Sequence, residues 1–245
     1  MTTTGPTSAA GTSGIGPTTT AAATGPATGR FVLRFTPAER WLHWTTAALV
    51  LTAAVTGLIL YYGPLTALVD RRPLVKGLHV WTGLAMPVPL ALAYAGRWRA
   101  AVRADVRRLG RWTRADRRWL RSLGRQAGDQ VGKFNAGQKA NAAFVAGMIP
   151  VMLATGSIMR WFEPFPLHWR TGATFVHDWT AIATWLVVGG HIVVAISKPP
   201  ALWSMVKGWM PRSWAADHHP LWEEASTMSG PSRPLQEEPW TSASG

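Results

Sequence analysis

Four apolar stretches of this chain contain no Asp, Glu, Lys or Arg: Trp41 to Tyr62, Gly77 to Gly96, Ala140 to Met159 and Trp179 to Ser197. The last is preceded by the apolar Thr174-Phe175-Val176. A helix of about 20 apolar residues crosses a hydrocarbon core of ~30 Å, and each stretch is of that order. Lipid offers a backbone amide no partner, so each span must close its hydrogen bonds internally, as a helix; the alternating ten-residue segments of a membrane barrel are not seen. The expected fold is all-α, a transmembrane four-helix bundle with helices over about 41–62, 74–96, 140–160 and 174–197. These spans make the chain a multi-pass protein of the cell (cytoplasmic) membrane.

Charge sets the orientation. The chain has 25 Lys and Arg against 12 Asp and Glu, a net charge of +13, although only 15% of its residues are charged. Thirteen of the 25 lie between Arg97 and Lys139, in the connection of the second to the third helix. The other two connections hold only Arg71, Arg72 and Lys76, and Arg160 and Arg170. Positively charged short loops stay cytoplasmic, which places loop 97–139 and both termini on the cytoplasmic side. The arginine run suits anionic lipid head groups or a protein partner equally, and no nucleic acid is needed to explain it.

Residues 1–29 are uncharged and built from Thr, Ala, Gly, Pro and Ser, a composition expected to stay disordered. Residues 30–224 then form the membrane domain and 225–245 a flexible tail. No internal repeat stands out. The absence of Cys excludes thiolate metal sites, Cys-bound iron–sulfur clusters and covalently attached haem in this chain.

Four of the seven His residues fall at ends of the apolar spans: His43, His79, His177 and His191. Ionisable side chains at membrane depth are costly and mark function. Any one of them alone could equally be a buried His bonded to nearby backbone. With the orientation above, His43 and His191 meet at the cytoplasmic side and His79 and His177 at the outer side. The step from His177 to His191 corresponds to roughly 21 Å of helix and returns to within about 40° of the same face. That separation excludes a single four-His zinc site, whose bonds are only ~2 Å long.

Two neutral imidazoles complete the axial positions of a haem iron, and the ring wants apolar walls. A bare divalent ion would want carboxylates, which these uncharged spans lack. Two b-type haems stacked across the membrane are therefore expected. The same step that leads from His177 to His191 leads from His43 to Gly57 and from His79 to Ala93. Each small residue is read either as clearance for the second haem or as ordinary close helix packing. A transverse electron wire needs a two-electron, two-proton partner, and a lipid-soluble quinone is the natural one. Asn135, Gly137 and Gln138, at the cytoplasmic entry to the third helix, are candidates for that quinone site; Asn135 is equally suited to capping the helix. His218 and His219 follow the fourth helix too distantly to be ligands and suit a structural role. His168 belongs to the outer surface.

The sequence resembles the cytochrome b (gamma) subunit of membrane-bound formate dehydrogenases, a dihaem four-helix family. The resemblance rests on Glu39-Arg40-Trp41-Leu42-His43-Trp44, on Gly77-Leu78-His79 with Gly83, and on Lys133-Phe134-Asn135-Ala136-Gly137-Gln138-Lys139. It continues through His177 and His191 and through Trp214 to His218-His219-Pro220-Leu221-Trp222. The resemblance implies that His43 and His191 hold the cytoplasmic-side haem and His79 and His177 the outer one. It implies menaquinone near Asn135, Gly137, Gln138 and His191. The partners it implies are an iron–sulfur subunit and a molybdenum- or tungsten-containing catalytic subunit on the outer face, so formate oxidation would lie outside this chain. Departures are the uncharged extension 1–29, the Arg- and Trp-rich loop 97–139, and Asp217 where the family has a basic residue.

The function expected is a membrane electron-transfer subunit of formate dehydrogenase, carrying electrons to menaquinone near the cytoplasmic face. Two rivals stand beside it. One is the dihaem subunit of another quinone-linked complex, such as a hydrogenase or thiosulfate reductase. The other is a proton or ion transporter using His relays, against which the sequence offers neither intramembrane carboxylates nor broken helices.

Overall fold

A computed structural model describes residues 30–124 and 131–222. The extension 1–29 and the tail 225–245, for which disorder and flexibility are expected, lie outside the described residues. Helix α1 runs over Pro37–Tyr61. Thr36 caps it in a reciprocal box with Glu39, and Pro occupies the first turn, where a missing N–H costs nothing. After the short α2 (Gly63–Val69), the second crossing is made by α3 (Arg72–Ala85) and α4 (Val88–Ala95). Pro87 has no N–H to give to the ladder. The expected continuous helix is therefore two segments, although Met86 and Pro87 both keep right-handed helical dihedrals and the chain is not unwound there.

Among the described residues of loop 97–139 are two helices, α5 (Arg99–Gly110) and α6 (Arg114–Arg121), the latter started by a Thr113–Asp116 capping box. Helix α7 spans Ala136–Arg160 and α8 spans Leu167–Ile196. Helix α8 starts well before Thr174, so Arg170 and Asp178 belong to it. The carboxylate-free character expected of the spans therefore does not extend to α8 as folded, in which Asp178 directly follows His177. Four helices, over residues 37–61, 72–95, 136–160 and 167–196, are long and apolar enough to cross a membrane, and the chain is a multi-pass membrane protein. Most of their apolar side chains, such as Leu186, Val193 and Trp179, point outward, where lipid takes the place of a protein core. Inside, Val50, Met86 and Met148 pack together with Phe144, Ile149 and Val188, joining the four crossings at mid-bundle.

Beyond α8 the chain builds a small cap. Helix α9 (Pro199–Lys207) leads through Gly208 into strand β2 (Trp209–Pro211), which pairs antiparallel with β1 (Phe31–Leu33), Val32 opposite Met210. The all-α expectation is thus corrected by one two-stranded ribbon. Gly208 has φ +91°, and a Cβ there would stand 2.8 Å from the Phe35 carbonyl oxygen, so the turn requires glycine. Helix α10 (Arg212–His218) closes the cap with Val32, Met210 and Ala215 buried beneath Trp214 and Trp222. Two ionic links fasten the loop to the bundle. Lys133 contacts Glu39 of α1 and bonds Asp105 of α5 at 3.1 Å, and Lys139 of α7 bonds Asp116 of α6 at 2.8 Å.

Candidate functional site

His79 of α3 and His177 of α8 face each other with ring centroids 6.2 Å apart and planes at 69°. Each is held from behind by the neighbouring helix. His79 Nδ1 lies 3.0 Å from the Ala53 carbonyl oxygen and 3.1 Å from Thr56 Oγ1 of α1. A carbonyl can only accept, so Nδ1 carries the proton and the Nε2 lone pair is left free. His177 Nδ1 lies 2.9 Å from Thr155 Oγ1 of α7. Thr155 donates its own hydroxyl hydrogen to the Val151 carbonyl at 2.7 Å, as Thr56 does to the Thr52 carbonyl at 2.6 Å. Each hydroxyl is thereby turned to accept from its imidazole.

The residues that follow the two threonines are glycines. A Cβ at Gly57 would meet His79 Cε1 at 3.1 Å, and one at Gly156 would meet His177 Cε1 at 3.4 Å. A Thr-Gly pair on one helix of a hairpin, with a His on the next, thus occurs twice, at Thr56-Gly57 with His79 and at Thr155-Gly156 with His177. This small internal correspondence escapes a search for sequence repeats because so few residues take part. Its one legible sign is the recurrence of Thr-Gly in the apolar spans, followed at nearly the same interval by a His after Thr56-Gly57 and Thr155-Gly156 though not after Thr82-Gly83.

His43 of α1 and His191 of α8 form the second pair, again with centroids 6.2 Å apart, their planes at 60°. His43 is half-buried and His191 exposed, and the His43 ring packs edge-on against Trp44 at 5.1 Å. Among the described residues, neither ring makes a hydrogen bond through its nitrogens. Ala93, at the level assigned to this pair, is fully buried.

The donor set can be tested against haem. Two metal–nitrogen bonds of about 2 Å, plus ~1.1 Å from each ring nitrogen to its centroid, would put two imidazoles that share one metal about 6.2 Å apart. Both pairs stand at 6.2 Å. Neutral rings with a free Nε2, apolar helix walls and no thiolate suit a b-type haem. A bare metal ion is poorly served, because among the described residues no three His, Asp or Glu side chains converge.

Asn135 and Gln138 close a capping box at the start of α7: Gln138 N donates to Asn135 Oδ1 at 2.9 Å and Asn135 N to Gln138 Oε1 at 3.0 Å. Their side-chain oxygens are thus committed to the backbone, and their NH2 groups are the donors left for a ligand. Gly137 sits under the Trp119 ring of α6, which a Cβ would approach to 2.8 Å. The small residue is explained by this contact.

His219 is 2% exposed. Its Nδ1 donates to the Gly132 carbonyl at 2.8 Å, and its Nε2 accepts from Arg34 Nη2 at 2.9 Å. Burial, with the Arg34 charge beside it, lowers the His219 pKa to about 3, and burial lowers that of Arg34 to about 10. His218 stacks on Trp214, centroids 4.0 Å apart. Both act in the cap, far in sequence from the His pairs.

Helices long enough to cross a membrane, with paired imidazoles set among them, define a membrane cytochrome of the b type. A family model described as prokaryotic cytochrome b561 matches residues 34–208, and the chain belongs to that family, whose members carry haem b. It is 28% identical over 200 residues to the formate dehydrogenase cytochrome b556(fdo) subunit of Escherichia coli K12, covering 78% of this chain and 91% of that one. It is 25% identical over 199 residues to the nitrate-inducible cytochrome b556(Fdn) subunit of the same organism, covering 79% and 90%. The formate dehydrogenase cytochrome b556 subunit of Haemophilus influenzae is 25% identical over 212 residues, covering 82% and 85%.

Proposed function

We propose that this chain is the electron-transfer subunit of a membrane-bound formate dehydrogenase, receiving electrons from an iron–sulfur subunit at its outer face and delivering them to menaquinone near the cytoplasmic face. The observation that carries the reading is the presence of two His pairs that share helix α8, through His177 and His191, each with centroids 6.2 Å apart. Haem b bound at each pair supplies a one-electron carrier. His79 with His177 would hold the outer group and His43 with His191 the cytoplasmic one, with α8 contributing one ligand to each. Loop 97–139 carries the positive charge that supports cytoplasmic termini.

At the menaquinone end, the amide groups of Asn135 and Gln138 are the candidate donors to a quinone oxygen, and Gly137 keeps the Trp119 ring close to them. Proton uptake on this side, with formate oxidised by a molybdenum or tungsten subunit outside, separates charge across the membrane at about 2.3 kcal/mol per charge per 100 mV. The relatives named as formate dehydrogenase subunits favour this complex over the dihaem subunits of hydrogenase or thiosulfate reductase. A His-relay transporter finds support only in Asp178 beside His177.

The test is mild detergent extraction of the tagged chain from formate-grown cells, with subunit identification and a formate-to-menaquinone assay on the extract. Co-purification of iron–sulfur and formate-oxidising subunits, with activity that vanishes when this chain is deleted, is expected. Recovery with a hydrogenase instead, or as a haem-free protein, would overturn the assignment.

A further inference from the structure

The two His pairs are built alike in ring spacing and unlike in what stands behind the rings. Behind His79 and His177 stand three fixed acceptors: the Ala53 carbonyl, Thr56 Oγ1 and Thr155 Oγ1, at 3.0, 3.1 and 2.9 Å. Behind His43 and His191 no acceptor stands among the described residues. The two threonines are themselves 6% and 9% exposed, so water does not compete for these bonds. Each hydroxyl is aimed by its own bond to the helix backbone one turn earlier, at 2.6 and 2.7 Å.

An imidazole that donates its Nδ1–H to a fixed acceptor gains electron density at Nε2 and becomes a stronger donor to a metal. A stronger axial donor stabilises the ferric form over the ferrous form and lowers the reduction potential. We infer that Thr56 and Thr155 are positioning residues that fix the tautomer of His79 and His177 and hold the haem at this pair at a lower potential than the haem at His43 and His191. This rests on the proposed reading of two bis-histidine haems, and it deepens that reading. The order it sets is downhill from the side where electrons enter to the side where quinone is reduced.

The two threonines are not equivalent. Thr155 is the acceptor that stands behind His177, whereas His79 keeps the Ala53 carbonyl when Thr56 is lost. Thr155→Val should therefore act more strongly than Thr56→Val, although each removes one hydroxyl.

The test is a redox titration of the full chain in isolated membranes, followed at the reduced b-type absorbance, for wild type, Thr56→Val, Thr155→Val and Thr155→Ser. Wild type is expected to titrate as two one-electron components. Thr155→Val should shift only the lower-potential component, favouring its reduced form about tenfold, or ~59 mV for one electron. Thr56→Val should shift the same component upward by less, and Thr155→Ser, which restores an acceptor, should titrate as wild type. Equal potentials in all four proteins, a shift confined to the higher-potential component, or a larger shift in Thr56→Val would overturn the inference while leaving two haems in place. A single one-electron component in wild type with two haems bound per chain would overturn the inferred order of potentials, whereas one haem per chain would overturn the dihaem reading itself. If Thr155→Val does not assemble, Thr56→Val against wild type decides: an upward shift of the lower component supports the inference and no shift refutes it.

Discussion

Gly57 and Gly156 occupy matching places and differ in one measurable respect, so the same substitution at each isolates the contact with the His ring. A Cβ at Gly57 would lie 3.1 Å from His79 Cε1, whereas one at Gly156 would lie 3.4 Å from His177 Cε1. Carbon atoms prefer about 3.5–4.0 Å, so the His79 ring must give by ~0.4 Å or more. It gives against two bonds, to Ala53 and Thr56, that fix its Nδ1. Overpacking of this kind costs about 1–3 kcal/mol, against a gain of about 1 kcal/mol for replacing an interior helical glycine by alanine. Gly57→Ala should therefore be destabilised by up to about 2 kcal/mol. At Gly156 the contact is near an ordinary one and the helical gain is kept, leaving the variants about 1–3 kcal/mol apart. The assay is thermal loss of the haem absorbance in detergent, where about 1 kcal/mol corresponds to about 2–4 °C for a chain of this size. A midpoint for Gly57→Ala equal to or above that of Gly156→Ala would refute the packing argument.

Two further outcomes concern the cap and the loop. His219 takes up its proton near pH 3 in the folded chain and near 6.5 when unfolded. The unfolded chain thus binds more protons between those values, and the contribution of His219 to stability is fully present above pH 6.5 and lost as pH falls towards 3, by at most about 1.4 kcal/mol per unit. The melting temperature, followed by far-UV circular dichroism, should drop between pH 7 and 5, and His219→Gln should flatten that drop; an unchanged slope contradicts it. Lys133 is only 9% exposed and faces two carboxylates, Glu39 and Asp105. Lys133→Met leaves Glu39 with only its bonds from the Thr36 amide and hydroxyl and Asp105 with only Arg108 at 2.8 Å, so it should cost less than the about 3–5 kcal/mol of a wholly unpaired buried charge, read as a lower melting temperature partly restored by adding Asp105→Asn. A melting temperature indistinguishable from that of wild type would contradict a buried ionic link.

What can be read from the sequence follows the strength of the physical constraint. Charge is excluded from lipid, so the four crossings are legible from charged residues alone, and the helical repeat puts His177 and His191 on one face. The true start of α8 is hidden because Arg170 and Asp178 interrupt the apolar run, although a helix can continue past them where it leaves the hydrocarbon. The Thr56 and Thr155 contacts leave only the recurring Thr-Gly as a trace in the sequence, because a Thr in an apolar helix ordinarily just bonds its own backbone. Which imidazole it faces depends on the register between helices. The β1–β2 ribbon joins two very short strands far apart in sequence, too short to show a period. The Asn135–Gln138 box is a local signal and readable as a cap, whereas the Trp119 contact that explains Gly137 comes from another helix.

The four histidines are proposed to act as two pairs. This pairing is tested most directly by haem stoichiometry and reduced-minus-oxidised spectra of wild type and the four single His→Ala variants, purified with their partner subunits. Two b-type haems per chain are expected. His79→Ala and His177→Ala should lose the same spectral component, and His43→Ala and His191→Ala should lose the other. One haem per chain, or loss of one component shared by His43→Ala and His79→Ala, would contradict it.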